Sequence, residues 1–245
     1  MIELMLVEGV TDVQLISYYL QNVYGWIYQK NNSLGVNSLD KQEHIESLYK
    51  DNNQLVLCGV GGIGKFKSFI KKHRINEMLI NNDIASVYVV TDRDNELISS
   101  ITRRINDSFD KVSFSCGKWK NNNVKDLFDQ EKEIMTYLLI IPSMESGALE
   151  KVIIQALKDM PNEKRLIQEI ETFINVLKMN LLPDLNKQNN ESKAQVGTYF
   201  SVRYPKNAMR PFAVFVSKIK WSDSQSLNNL FSSFQYLGKI KPIDN

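Results

Sequence analysis

Three apolar runs, Ile2 to Val7, Leu55 to Cys58 and Ala85 to Val90, each stop at a short polar or glycine-rich turn. The turns are Glu8-Gly9-Val10-Thr11-Asp12, Gly59-Val60-Gly61-Gly62-Ile63-Gly64 and Thr91-Asp92-Arg93-Asp94. Short, mostly apolar runs of this length suit strands buried on both faces. Helical spacing follows each one: Val13, Ile16, Tyr19 and Leu20 after the first, Phe66, Phe69, Ile70, Met78 and Leu79 after the second, and Glu96 to Phe109 after the third. Strand alternating with helix predicts an α/β fold, with a mainly parallel, Rossmann-like sheet covered by helices on both faces. Ligands of such sheets sit beyond the carboxyl ends of the strands, where all three turns lie.

The rest of the chain predicts a surface excursion over Asn31 to Asp40 and a short helix over Lys41 to Lys50. A fourth strand is expected over Val112 to Ser115 and a fifth over Met135 to Ile141, stopped by Pro142. A helix over Leu149 to Leu157 follows Gly147. Past residue 160 the alternation ends: Lys164 to Met179 is helical in spacing, Pro183 to Lys193 is turn-rich, and residues 198–240 mix aromatics with Lys and Arg. The expected division is a catalytic domain over 1–158 and a mostly helical C-terminal extension over 159–245.

Thirty Lys and Arg against 28 Asp and Glu leave a formal charge of +2, which excludes a dominant basic field. Nucleic acid, if bound, must meet local patches. The two cysteines, Cys58 and Cys116, supply neither a metal spacing nor a disulfide framework and fit a reducing compartment. Glu3 and Glu8 stand where a signal peptide would be basic, and the longest apolar stretch, near Leu138 to Pro142, is too short to span a bilayer. A soluble, cytoplasmic protein is expected.

The acids at the strand ends are the candidate chemistry. Asp12 follows Glu8 by four residues, about one helical turn, so both carboxylates could face one cavity. Asp92 and Asp94 are two apart and point the same way if the strand end is extended. Gathered acids repel unless a cation sits among them, and hard oxygen ligands favour Mg²⁺ or Mn²⁺ over zinc. Phosphoryl transfer and phosphodiester cleavage use such a site. Plainer roles stay open: Asp12 could serve the first turn of a helix, and Asp-x-Asp is common in turns and caps. The run Gly59 to Lys65 fits the first seven positions of a P-loop, but Phe66 stands where Ser or Thr should hold the metal.

The order Glu8, glycine turn, Asp92-x-Asp94 resembles the Toprim domain of topoisomerases, bacterial primases and OLD-family nucleases, and is most similar to a small stand-alone Toprim protein. The resemblance covers roughly residues 1 to 157. It implies a Toprim-like fold, Glu8 as general acid/base or metal ligand, and Asp92 and Asp94 as holders of one or two Mg²⁺ (or Mn²⁺) ions. Asp12 matches the second acid of the OLD-like branch, and Gly59, Gly61, Gly62 and Lys65 belong to the glycine turn. Gly147-Ala148-Leu149-Glu150 resembles a late Gly-x-Leu-Glu element, which implies Glu150 as a second-metal ligand and Lys151 as a contact to the scissile phosphate. Glu145 and Glu96 are weaker candidates.

The resemblance implies a Mg²⁺-dependent nuclease cutting DNA or RNA, with an ATPase partner of the ABC or SMC type, a role in defence against phage, and room for a homodimer. Topoisomerase and primase activities are disfavoured, because 245 residues hold neither a strand-passage region nor a zinc module. The alternatives are a non-catalytic module binding phosphate or nucleotide and regulating a partner ATPase, and a P-loop-like hydrolase dependent on Lys65. Candidate nucleic-acid patches are Lys65, Lys67, Lys71, Lys72 and Arg74 on one predicted helix, Lys118-Trp119-Lys120, and Lys218, Lys220 and Trp221. Arg103 and Arg104 read as plain surface.

Overall fold

The computed structural model describes residues 1–187, 189–207, 210 and 212–239. The chain is α/β, built on a seven-stranded mixed sheet flanked by helices. The strands are β1 (Ile2–Val7), β2 (Ile27–Gln29), β3 (His44–Lys50), β4 (Asn53–Gly59), β5 (Ile84–Asp92), β6 (Lys120–Lys125) and β7 (Glu131–Ile141), in the order β2-β3-β4-β1-β5-β7-β6. At the centre β1 pairs in parallel with β4 and β5, with Val7 level with Gly59 and Val90. Towards the margins β2 with β3, β3 with β4, and β6 with β7 are antiparallel.

The chain divides into two compact units: unit 1 holds residues 1–91, 96–140 and 234–245, and unit 2 holds 92–95 and 141–233. In unit 1 the side chains of β1 alternate. Leu4 and Leu6 enter a core with Val56, Cys58, Val87 and Val89, covered by α2 (Phe66–Lys72), α3 (Ile75–Asn81) and α4 (Ile98–Asn106). The opposite face meets α1 (Val10–Tyr24), which comes close enough to β4 that a Cβ on Gly59 would lie 3.0 Å from Val13 Cγ2 and 3.1 Å from the Gly9 carbonyl oxygen. A side chain at that crossing would require Val13 or the Gly9 backbone to give way.

Unit 2 is built on α5 (Leu149–Asp159), α6 (Pro161–Asn180), α7 (Asn190–Arg203), α8 (Phe212–Val216) and α9 (Gln225–Leu230). Ile153, Ala156, Ile167, Tyr199 and Trp221 are among its buried side chains. Two carboxylates fix its corners. Glu163 accepts from Tyr199 Oη (2.8 Å) and from the Arg203 guanidinium, and Asp159 accepts from Ser224 Oγ (2.9 Å) and Ser226 N (2.7 Å) at the start of α9. The helical extension is described to residue 239, and 188, 208, 209, 211 and 240–245 lie outside the described residues.

Several elements differ from the sequence expectation. The short helix expected over Lys41 to Lys50 is not formed; His44–Lys50 is β3, although Ile45, Leu48 and Tyr49 also have a spacing that a helix would share. A two-residue turn at Asp51-Asn52, with Asp51 at φ +53°, folds it onto β4 as a hairpin. The strand expected at Val112 to Ser115 is not one. Its backbone is held by carboxamides, Ser113 N–H donating to Asn122 Oδ1 (2.8 Å) and Phe114 N–H to Asn106 Oδ1 (2.7 Å). The strand lies instead in the polar run Lys120–Lys125. The single helix expected to carry Lys65 to Arg74 is two, broken where Arg74 adopts φ +55°.

Candidate functional site

In unit 1 the candidate residues gather where β1 and β4 leave the sheet. Glu8 follows the last residue of β1, and its Oε2 accepts a hydrogen bond from Thr91 Oγ1 at 3.2 Å. Thr91 is fully buried, so this donor is held by packing. The Glu8 carbonyl accepts from the N–H groups of Gly61 (3.0 Å) and Gly62 (2.8 Å), and Val60 N–H donates to the Val7 carbonyl (2.9 Å). These glycine-loop amides therefore tie the exit of β4 to the exit of β1. Lys65 N–H is also spent, on the Gly62 carbonyl (2.8 Å). Asp12 is buried in the first turn of α1, where its Oδ2 accepts from Gly9 N–H at 3.0 Å. That is the helix-start role acids favour, and it fixes the path from Glu8 into α1.

In unit 2 the Asp-x-Asp pair is built into the start of α5. Asp92, the last residue of β5, accepts from Leu149 N–H at 3.0 Å, the first helical residue. Asp94 and Gly147 exchange two backbone hydrogen bonds (2.6 and 2.8 Å), and Asp94 Oδ1 accepts from Asn189 Nδ2 at 2.6 Å. Asp94 sits at φ +49°, so the two acids do not share the two-residue alternation of an extended strand, contrary to the sequence expectation. Gly147 is required at its place: φ is +147°, and a Cβ would come 2.5 Å from Lys151 Cδ.

Lys151, expected to meet a phosphate, donates to the Ser146 carbonyl (2.6 Å) and Glu145 (3.3 Å). Glu150 lies half-buried in the first turn of α5. Lys151 also lines a cavity of about 590 Å³ within unit 2, between α5, the segment after α6 and the start of α7. Carboxamides of Asn95, Gln155, Asn186, Asn189 and Gln195 line it too. Sequence reasoning missed Thr91 and these five residues. Thr91 stood inside a quoted motif, whereas the carboxamides are spread over Asn95, Gln155 and the stretch from Asn186 to Gln195.

Two buried carboxylates in unit 1, Glu3 and Glu43, are perturbed by their surroundings. Burial pushes Glu3 up to about 7, although hydrogen bonds from Gly238 N–H and Ser86 Oγ act to lower it. Burial also works to raise Glu43, but Leu39 N–H, Lys72 and His73 donate to it and hold its carboxyl below the usual range.

Part of each expected nucleic-acid patch has other partners. Lys72 pairs with Asp40 and Glu43, and Arg74 with Glu77. Trp119 packs among Tyr88, Tyr137 and Tyr236, and Trp221 is buried with its indole N–H on the Val216 carbonyl (2.8 Å), so the Trp221 ring is not a base-stacking platform. Glu96 is paired with Arg104 at 2.8 Å. Among the described residues no three His, Cys, Asp or Glu side chains form a group that could hold a metal ion. Magnesium, however, is commonly held by one or two carboxylates together with waters and phosphate oxygens, and the oxygen-only chemistry of Asp92 and Asp94 in unit 2 fits that demand. Among the described residues no helix is long and apolar enough to cross a membrane.

The profile of a family described as "Protein of unknown function (DUF3226)" matches residues 2–238, so the chain belongs to that family. No curated protein gives a significant match. Among solved structures, the chain is similar to the crystal structure of hypothetical protein PH0156 from Pyrococcus horikoshii OT3. The two share 17% identity over 96% of this chain and 98% of the other, with a TM-score of 0.46.

Proposed function

We propose that this member of the DUF3226 family is a metal-dependent nuclease of the Toprim type. The observation that carries the reading is the ends of the parallel strands. β1, β4 and β5 finish at Val7, Gly59 and Asp92, so Glu8, the glycine loop and the Asp-x-Asp pair each follow a strand at its carboxyl end, where parallel sheets bind ligands. Asp92 and Asp94 would hold Mg²⁺ or Mn²⁺, with Asp12 and Glu150 as candidates for a second ion. Bound there, the cation would activate water and neutralise charge on the attacked phosphate. Glu8 would move the proton, through a carboxylate whose Oε2 is oriented by Thr91. The nucleic-acid substrate, an ABC- or SMC-type ATPase partner and a role against phage belong to the same proposal and rest on the resemblance.

One observation favours a second reading, a non-catalytic module that binds phosphate or nucleotide. Asp92 and Asp94 each accept a hydrogen bond from the protein, from Leu149 N–H and the Asn189 amide, and so already have structural duties. Incubating the purified chain with labelled DNA and RNA in Mg²⁺ or Mn²⁺ separates the two. Cleavage abolished by both Glu8→Ala and Asp92→Ala is the expected result. Cleavage that survives both substitutions overturns the assignment, and tight binding without turnover favours the module.

A further inference from the structure

A second cavity, of about 390 Å³, lies in unit 1 and contains none of the candidate acids. Its volume is in the range of small-molecule sites. Ile63 and Phe66 line one side, from the 3₁₀ turn that follows the glycine loop and from the first residue of α2. The other side is one face of α4 and its end, where Ser100, Arg103, Arg104 and Asp107 recur at three- and four-residue spacing. Lys67 reaches the same space from α2, so cations meet there from two segments.

The charge of this cavity is lopsided. Lys67 and Arg103 are exposed and form no ion pair among the described residues. Arg104 gives Nη1 to Glu96 at 2.8 Å, while its Nε and Nη2 are covered and have no hydrogen-bond partner among the described residues. Three cations thus face two acids, Glu96 and Asp107, and one positive charge is in excess. Unmet guanidinium donors are costly, so the single contact to Glu96 is one that a better acceptor can displace. Arg103 and Arg104 stand in the last turn of α4, where cations suit the helix dipole. That duty explains neither Lys67 nor the two idle donors.

We propose that this cavity binds a phosphate group. A phosphoryl group turns three acceptor oxygens outwards, enough for donors arriving from α2 and α4 together, whereas a carboxylate has two. Guanidinium forks match phosphate oxygens in pairs, and Lys67 adds a point charge. Ser100 adds a hydroxyl in the first turn of α4. Binding of this kind needs no metal, so the inference does not rest on the nuclease reading. Free phosphate and the backbone of a nucleic-acid strand carry the same group, and the test separates these two sources.

Inorganic phosphate, acetate and a short single-stranded oligonucleotide are titrated calorimetrically into the full-length chain at one fixed ionic strength, so that screening is equal for all three. Phosphate should bind saturably, with acetate about tenfold weaker, the difference expected of one charge-assisted hydrogen bond. Lys67→Gln and Arg103→Gln, at exposed positions, and Arg104→Gln, at a half-buried one, should each weaken phosphate about tenfold. An oligonucleotide that weakens in step assigns the strand backbone as the source, and one that does not assigns free phosphate. Absence of saturable phosphate binding by the folded wild-type chain, equal binding of acetate, or phosphate binding untouched by all three substitutions overturns the inference. Phosphate binding without cleavage leaves it standing and removes the nuclease. Cleavage without phosphate binding does the reverse.

Discussion

Glu3 and Glu8 belong to the same strand and its exit, yet unit 1 treats them in opposite ways. Glu3 is 2% exposed on β1, under Ser86 Oγ and Gly238 N–H, and burial favours its neutral form. Glu8 is half-exposed, beyond the last residue of β1, and a buried threonine steadies one of its oxygens. A buried carboxylic acid in a sheet interior is a cost the fold bears, offset by its hydrogen bonds. A steadied carboxylate at a carboxyl-terminal edge remains available for chemistry. Proximity in sequence therefore says little about which acid is a candidate for function.

The largest expected effect breaks this comparison at Glu3. Its pKa is raised from 4.5 to about 7, so the native state binds the proton more tightly than the unfolded chain. The stability it contributes is fully present below pH ~4.5 and is lost as pH rises to about 7, a swing of about 3 kcal/mol. Denaturant titrations from pH 4 to 8 should show Glu3→Gln gaining on the wild type by about that amount towards the alkaline end. Parallel profiles for the two proteins would mean that Glu3 is ionised when folded.

Thr91→Val keeps shape but removes the hydroxyl on Glu8. About 1 kcal/mol of stability should be lost in urea unfolding, and cleavage, if the nuclease assignment is right, should fall several-fold as the carboxylate loses its orientation. Unchanged stability and turnover would show that the 3.2 Å contact does not steady Glu8.

The smallest effect sharpens the contrast. Glu8→Gln should shift stability at neutral pH by no more than about 0.5 kcal/mol, because a half-exposed side chain at a strand exit carries little of the fold. A loss several times larger would make Glu8 a structural acid like Glu3, and weaken its catalytic assignment.

The parallel centre of the sheet was legible because Ile2 to Val7, Leu55 to Cys58 and Ala85 to Val90 are apolar but for Glu3 and Ser86, the mark of burial on both faces. The antiparallel margins were not. β3 carries Ile45, Leu48 and Tyr49 at a spacing a helix would share, and the partner that decides between them is named only by the Asp51-Asn52 turn. In β6 the run Lys120-Asn121-Asn122-Asn123 hides a strand because an edge exposes most of its side chains. The acids after the central strands could be read, since each directly follows an apolar run. Their partners could not: Thr91 is 83 residues from Glu8, and Asn189 is 95 from Asp94. The glycine loop was legible as a turn but not as a clasp, because its amides meet the Glu8 carbonyl, a group every residue has.

The hydrogen bond from Gly238 to Glu3 spans 235 positions, and Asn53 Nδ2 donates to the carbonyl of the same glycine at 2.9 Å. A chain emerging from the ribosome makes its first strand long before it can supply that clasp. Until then Glu3 has no Gly238 amide to compensate its burial. Closure of this part of the molecule is therefore postponed to a late stage of translation, and a nascent chain arrested short of Gly238 should remain more open to protease at β1 than the released protein.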